Sequence, residues 1–274
     1  MTVLVTGAAG TTGSRVVAEL RCRGVAYRSA TRRPRSSDQV RFDWDDSSTF
    51  ADALRGVHAV YLVGPIEVVD PSHQVEAFLD EATAAKVQRV VTLSSSAVEA
   101  GAPGPGVVHR MIASAMPEWT VLRPSWFMQN FFGDHPLAHA VRHGEIVTAT
   151  GDAKVAFIDA GDIAAVAATV LTDHAPHNTD YVLTGPEALS YAQAADIISR
   201  AVGHMVRHRS VDPDTLVALF TSAGLSADYA TLLASLDAVI AAGAENRVTE
   251  SVQRITGRRP RSLAEVVRAE GRSG

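Results

Sequence analysis

Short apolar runs alternate along this chain with longer stretches whose apolar residues recur at helical spacing. Val3-Leu4-Val5 predicts a first strand. Residues 11–23 predict a helix that carries Val16, Val17 and Leu20 on one side and stops at Gly24, a residue suited to a left-handed cap. Residues 25–30 read as a second strand, 40–42 as a short third, 48–55 as a helix, and 59–63 as a fourth strand that ends at Gly64-Pro65. The cycle then repeats. A helix is expected over 75–85 and a fifth strand over 89–93 that runs into Ser94-Ser95-Ser96. A loop rich in glycine and proline over 100–106, a helix over 109–115 and a sixth strand over 119–122, closed by Arg123-Pro124, complete the series. Strands and helices in this alternation predict an α/β fold, a doubly wound parallel sheet with helices on both faces.

Beyond residue 125 the rhythm weakens. Helices are expected near Ala138 and over 163–171, 191–202, 213–223 and 228–242, with strands only near Ile146, Val155 and Tyr181. The predicted organisation is therefore a sheet domain over 1–125 and a smaller, mainly helical lobe over 126–274, packed on the sheet and able to return part of itself to it. No internal repeat appears, and the tail from Gly271 is expected to fray.

Composition narrows the function classes. With 46% hydrophobic and 20% charged residues the chain can bury a core. Its net charge of -5 disfavours a nucleic-acid partner, which would favour a basic face. The single cysteine, Cys22, allows neither an internal disulfide nor a cysteine-rich zinc site, which suits a reducing compartment. Neither a signal peptide nor a bilayer-length apolar run stands out, so a soluble, cytoplasmic protein with no membrane partner is expected.

The chemical signal lies in Gly7-Ala8-Ala9-Gly10-Thr11-Thr12-Gly13, between the first strand and first helix. Gly7 permits a tight turn, Gly10 lets the main chain approach a pyrophosphate, and Gly13 allows close packing of helix on strand. The unpaired amides and positive dipole end of the helix favour a doubly charged ligand, with a hydroxyl from Thr11 or Thr12 as a further donor. This is the arrangement of a Rossmann-type dinucleotide domain.

The end of the second strand reads the cofactor. Thr31-Arg32-Arg33-Pro34-Arg35 contains no acid to hold a ribose diol, whereas guanidinium groups suit a 2′-phosphate, so the expected cofactor is NADPH. Asp43 and Trp44, after the third strand, either meet the adenine or simply make a turn. Val63, Gly64 and Pro65 after the fourth strand, and Ser94 and Ser95 after the fifth, lie at strand ends where such cofactors bind.

These features occur together with Leu122-Arg123-Pro124-Ser125-Trp126-Phe127-Met128-Gln129-Asn130-Phe131, with 157–164 and with Thr184-Gly185-Pro186-Glu187. In that combination the chain resembles, over nearly its whole length, the NmrA-like atypical short-chain dehydrogenases. That grouping includes type 2 quinone oxidoreductases, triphenylmethane reductases, ergot-alkaloid reductases and redox-sensing regulators. The resemblance implies a serine at position 96 able to hydrogen-bond an acceptor carbonyl, although a strand-end serine would look the same.

One departure carries information. Better-known short-chain dehydrogenases pair a tyrosine with a lysine four residues on, the lysine lowering the tyrosine pKa. Here Tyr27, Tyr61, Tyr181, Tyr191 and Tyr229 have no such lysine, and the only lysines are Lys86 and Lys154. Alcohol oxidation by that route is disfavoured. Hydride delivery to a quinone, an iminium or a conjugated enone remains, because such acceptors need little protein acid. His109, expected to open the helix near the missing pair, is a candidate proton donor, a cap histidine being the alternative.

Trp126, Phe127, Asn130 and Phe131, with Phe132, are candidates for the floor of a pocket for a flat aromatic substrate, or else ordinary core. His135, His139 and His143 recur every fourth residue, but a metal site usually needs a supporting carboxylate or third ligand held from elsewhere, and no metal is expected. Asp162 reads as a helix N-cap. The expected activity is NADPH-dependent reduction of a conjugated, polycyclic aromatic small molecule. Two alternatives stay open: a hydroquinone product that reacts with dioxygen, and a catalytically silent NADP sensor. A homodimer is compatible with the sequence.

Overall fold

The computed structural model describes residues 1–65, 68 and 70–270. The expectation for the tail from Gly271 falls outside them. In chain order the elements begin with β1 (Thr2–Val5), α1 (Gly13–Cys22), β2 (Ala26–Thr31), β3 (Gln39–Arg41), α2 (Phe50–Leu54), β4 (Ala59–Leu62), α3 (Ser72–Ala84), β5 (Arg89–Leu93), α4 (Pro105–Ala115) and β6 (Glu118–Pro124). Then come α5 (Pro136–Arg142), β7 (Glu145–Thr148), β8 (Lys154–Val155), α6 (Ala160–Thr172), β9 (Thr179–Leu183), β10 (Leu189–Ser190), α7 (Tyr191–Val202) and β11 (Arg207–Ser210). The series closes with α8 (Pro213–Ser222), α9 (Ala227–Ala241), α10 (Ser251–Thr256) and α11 (Leu263–Glu270).

The chain divides into two compact units. The first joins Met1–Pro124 to Ala160–Leu183 and Ser251–Arg258. It holds a seven-stranded sheet in the order β3-β2-β1-β4-β5-β6-β9, every pairing parallel. Parallel strands need both faces covered, and they are. Leu4, Val60, Leu62 and Val90 pack with Val75, Phe78, Leu79 and Ile112. The alternate strand residues Val3, Val5, Tyr61 and Val91, which point to the other face, are equally buried. Strand order reverses beside β1, so β1 and β4 diverge at their carboxyl ends and leave the crevice in which doubly wound sheets bind ligands.

The strand at Tyr181 is the seventh strand of the main sheet, joined to β6 in the register Leu122↔Tyr181, so residues 160–183 group with the sheet. One expectation needs correction here. The loop predicted through residue 106 ends earlier: Pro105 starts α4, because proline is preset for a first helical turn and Gly104 before it adopts a φ of 70°.

The second unit comprises 125–159, 184–250 and the chain from Arg259. It contains the antiparallel pair β10–β8, the parallel pair β11–β7, and helices α5, α7, α8, α9 and α11. Its core centres on Phe131, Phe157 and Tyr191, whose rings meet edge-on at 5.3–6.3 Å, surrounded by Ile146, Ile198, Leu263 and Val266. Helix α7 opens with a capping box in which Ser190 and Gln193 satisfy each other's main-chain amides. Among the described residues no helix is long and apolar enough to cross a membrane.

Three histidines, one buried, one half-buried and one exposed, make stability pH-dependent. Desolvation holds His109, His135 and His208 below the ordinary imidazole value. The unfolded chain therefore takes up protons near pH 6.5 that the folded chain refuses, so stability present above that pH declines as pH falls through it. Asp237, raised by burial, contributes the opposite slope, its share lost as pH rises. The urea midpoint should fall between pH 7.5 and 5.5, a window in which ordinary carboxylates change little. It should fall less in His109→Leu, and an identical fall in that variant would contradict the assignment.

Candidate active site

The glycine loop is built from below. Gly7 has a φ of +60°, and its carbonyl receives the Gly10 amide at 2.8 Å, which closes the turn. Gly13 begins α1 pressed onto that turn: a Cβ there would stand 2.2 Å from the Gly7 oxygen. The first turn of α1 contains no acidic residue, so its dipole end stays positive. Ala9, Gly10 and Thr11 are exposed above it, while the Arg15 Nη1 binds the Thr11 carbonyl at 2.7 Å. Thr12 corrects the sequence reading. It is buried, and its hydroxyl accepts a hydrogen bond from Tyr61 at 3.0 Å instead of facing a ligand.

At the end of β2, Thr31 Oγ1 accepts the Arg33 amide at 3.3 Å. The side chains of Arg32 and Arg33 are exposed, and among the described residues neither guanidinium has an ion-pair partner. Asp43 turns its carboxylate to the Asp45 amide at 3.2 Å, and its own amide bonds Thr49, so it organises a turn. Trp44 lies against Phe42, Phe50 and Phe78 at centroid distances of 5.0–5.8 Å. Its ring is partly buried against that cluster.

Val63, Gly64 and Pro65 leave β4 beside this loop, since a Cβ on Gly7 would sit 3.2 Å from Val63 Cβ. With Val68, Pro71, Leu93, Gly104, Pro105 and Val108 they enclose a pocket of about 290 Å³ over the carboxyl ends of β4 and β5. Among the described residues no charged side chain lines it. Leu93, Pro105 and Val108 were not foreseen as part of a site, because their identities are those of ordinary core residues.

The serine run forms a rigid step. Ser94 and Ser96 donate their amides to Leu122 and Pro124 at 2.7 and 2.9 Å, and Ser95 Oγ accepts the Ala97 amide at 3.3 Å. Among the described residues the buried hydroxyl of Ser94 has no hydrogen-bond partner, and Ser96 is buried. Arg123, which the sequence marked only as a strand end, underpins the step. Its guanidinium bonds Glu99 at 2.7 Å, Asp180 at 2.9 Å and the Ser96 carbonyl at 3.4 Å.

His109 does not open its helix. It lies more than a turn inside α4, buried against Trp119 at 5.8 Å, its Nδ1 without a hydrogen-bond partner. Burial lowers its pKa, so the ring is neutral at physiological pH.

In the second unit, Phe131 is a core residue rather than a pocket floor, only 2% exposed and in contact with Phe157 and Tyr191. Trp126 and Phe132 pack partly buried against the same cluster, and Phe127 bridges to Ile158 in the backbone. Asn130 is half-buried. The histidine series is explained locally: His135 caps α5, His139 pairs with Asp134 at 2.8 Å, and His143 bonds the His139 carbonyl at 2.8 Å. Asp162 stands in the first turn of α6 rather than before it. Asp159 is the residue that precedes α6, and it receives Gln129 at 2.7 Å and Arg261 at 2.8 Å.

A parallel sheet in this order, with a close-packed glycine loop at the switch point and an anion-favouring helix end, defines a Rossmann-type dinucleotide-binding protein. The loop fits a dinucleotide cofactor on its own geometry, since Gly10 is exposed without a side chain and α1 starts pressed onto the Gly7 turn. The NmrA-like family model matches residues 1–253. An uncharacterized oxidoreductase of Bacillus subtilis is 45% identical over 97% of this chain and 94% of its own length. An agroclavine dehydrogenase of Claviceps fusiformis is 37% identical over 97% of this chain and 96% of its own. Among solved structures, an NADPH-dependent quinone oxidoreductase of Escherichia coli, complexed with NADPH, superposes with a TM-score of 0.82 at 25% identity, covering 98% of this chain and 99% of that one. A Citrobacter triphenylmethane reductase shares the fold, with a TM-score of 0.83 at 22% identity over 99% of this chain and all of that one. The chain belongs to the NmrA-like family, and it is an oxidoreductase of the atypical short-chain dehydrogenase kind.

Proposed function

We propose that this enzyme is an NADPH-dependent reductase of conjugated, polycyclic aromatic electrophiles, quinones or iminium ions in particular. The observation that carries the reading is the character of α4. Where a tyrosine–lysine pair would supply and steady a proton, this helix offers Pro105 and Val108 to a pocket with no charged side chain among the described residues, and keeps a neutral His109 buried. An acceptor used here must manage without a protein acid.

Bound at the loop, the reduced nicotinamide supplies a hydride. An iminium takes it up at carbon as its π electrons return to nitrogen, and no proton is required. A quinone spreads the resulting charge over its ring and is protonated from water. The protein's part is to fix the cofactor through the α1 amides, to hold the serine step through Arg123, and to line the pocket with apolar walls. Arg32 and Arg33 support the choice of NADPH. The names of an agroclavine dehydrogenase and a quinone oxidoreductase among the similar proteins support the acceptor class.

NADPH consumption measured against quinones, iminium compounds, enones and simple ketones, with and without dioxygen, tests the reading. Turnover should appear with the conjugated acceptors and be absent with simple ketones. Binding without turnover on any of them would identify a cofactor sensor instead, and oxygen incorporation into the product would identify net hydroxylation.

A further inference from the structure

Tyr61 belongs to β4 in the middle of the sheet, in register with Val5 of β1, and is completely buried. Hydrophobic packing accounts for its ring but not for its hydroxyl. That hydroxyl reaches beneath the glycine loop and donates to Thr12 Oγ1 at 3.0 Å, across a separation of 49 residues. Thr12 stands at the N-cap of α1 yet makes no side-chain cap bond. Threonine at this position ordinarily turns its oxygen to a helix amide, but Thr12 is itself in a helical conformation and the Ser14 amide is bonded to the Gly10 carbonyl at 3.1 Å, so the threonine oxygen is turned to Tyr61 instead.

A second tie reinforces the first. Thr6, also completely buried, donates its amide to the Tyr61 carbonyl at 3.0 Å, and its Oγ1 accepts the Val63 amide at 2.7 Å. The end of β1, the end of β4 and the start of α1 are thus joined under the turn that Gly7 and Gly13 close from above.

We propose that Tyr61, through its hydroxyl bond to Thr12, is a positioning residue for the cofactor: it ties the start of α1 to β4 and so holds the main chain of the glycine loop in place for the pyrophosphate. Tyr61 itself touches no ligand. The bond acts on the part common to both nicotinamide dinucleotides, and it differs in this from Arg32 and Arg33, which act on the 2′-phosphate.

The test is direct binding of NADPH and NADH, by fluorescence or calorimetry, well below the melting temperature. Tyr61→Phe removes one oxygen and Thr12→Val replaces one by a methyl group, so both variants keep the packing. A buried hydrogen bond lost this way corresponds to about a three- to tenfold rise in Kd. The rise should be equal for the two cofactors, leaving their ratio as in the parent. The double variant should bind no worse than the weaker single one, because both substitutions break the same bond. Thr12→Ser, which keeps the hydroxyl, should bind as the parent does. A purely structural role for Tyr61 would lower the melting temperature and leave both Kd values unchanged, and that result would overturn the proposal. Losses that add in the double variant, or a loss confined to NADPH, would also overturn it. None of these measurements needs an acceptor, so the proposal stands or falls separately from the reaction proposed above.

Discussion

Replacing Arg32 and Arg33 together by alanine should weaken NADPH binding by one to two orders of magnitude or more and leave NADH nearly unchanged. Each charged hydrogen bond to a phosphate contributes about 1–3 kcal/mol, which is about five- to 150-fold in Kd. Both side chains are exposed, and no acid among the described residues neutralises either guanidinium. The discrimination should therefore also shrink as ionic strength rises, since exposed charges are screened within a Debye length of about 10 Å at 0.1 M salt. Titration of the double variant with both cofactors checks this. Equal losses for the two would remove the case for a phosphate grip and leave the glycine loop as the only recognised element.

The second large effect is expected at Gly13. A methyl group there would meet the Gly7 carbonyl oxygen at 2.2 Å and the Gly7 carbonyl carbon at 2.7 Å. Both are main-chain atoms of a turn already fixed at a positive φ, so the clash cannot be relieved by a rotamer change. The helix start must move away from β1, which carries the amides off the pyrophosphate. Gly13→Ala should lose more than about a hundredfold in affinity for NADPH and NADH alike, at around 3 kcal/mol for a misplaced anion site. It should also lower the melting temperature. Binding within a few fold of the parent would show that the turn relaxes and that Gly13 is not a packing requirement. At Gly10, where a Cβ would stand 3.2 Å from the same oxygen, the structural cost is smaller, and alanine there should affect cofactor binding more than stability.

How much of this was legible beforehand differs from element to element. The first helix, expected over 11–23, forms over Gly13–Cys22, and the fifth strand forms over the residues expected, Arg89–Leu93. Those are places where a strong local pattern meets a glycine or a serine run. In the second half the helix over Tyr191–Val202 was equally plain, because its capping box is written in adjacent residues. β11, α10 and α11 were not foreseen. Arg207–Ser210 is charged and polar throughout and becomes a strand only by pairing with β7 in the register His208↔Ile146. No local propensity marks it.

At the site the same division holds. The turn conformation of Gly7, the close contact of Gly13 and the acid-free run of arginines after β2 are matters of local backbone and side-chain chemistry, and the amino-acid order alone determined them. Thr12 could not be oriented in this way, because its partner Tyr61 lies 49 residues along the chain. Nor could Trp44 or Phe131 be sorted into ligand contacts or core, since an aromatic ring serves either and only its neighbours decide. Arg123 shows this most plainly: its companions Glu99 and Asp180 come from a loop and from the far strand β9, brought within 2.9 Å by the order of the sheet. Spacing along a chain specifies which residues can share a helix face or a turn. Which strands become neighbours is settled by burial of the whole sheet, and the tertiary structure alone decided that.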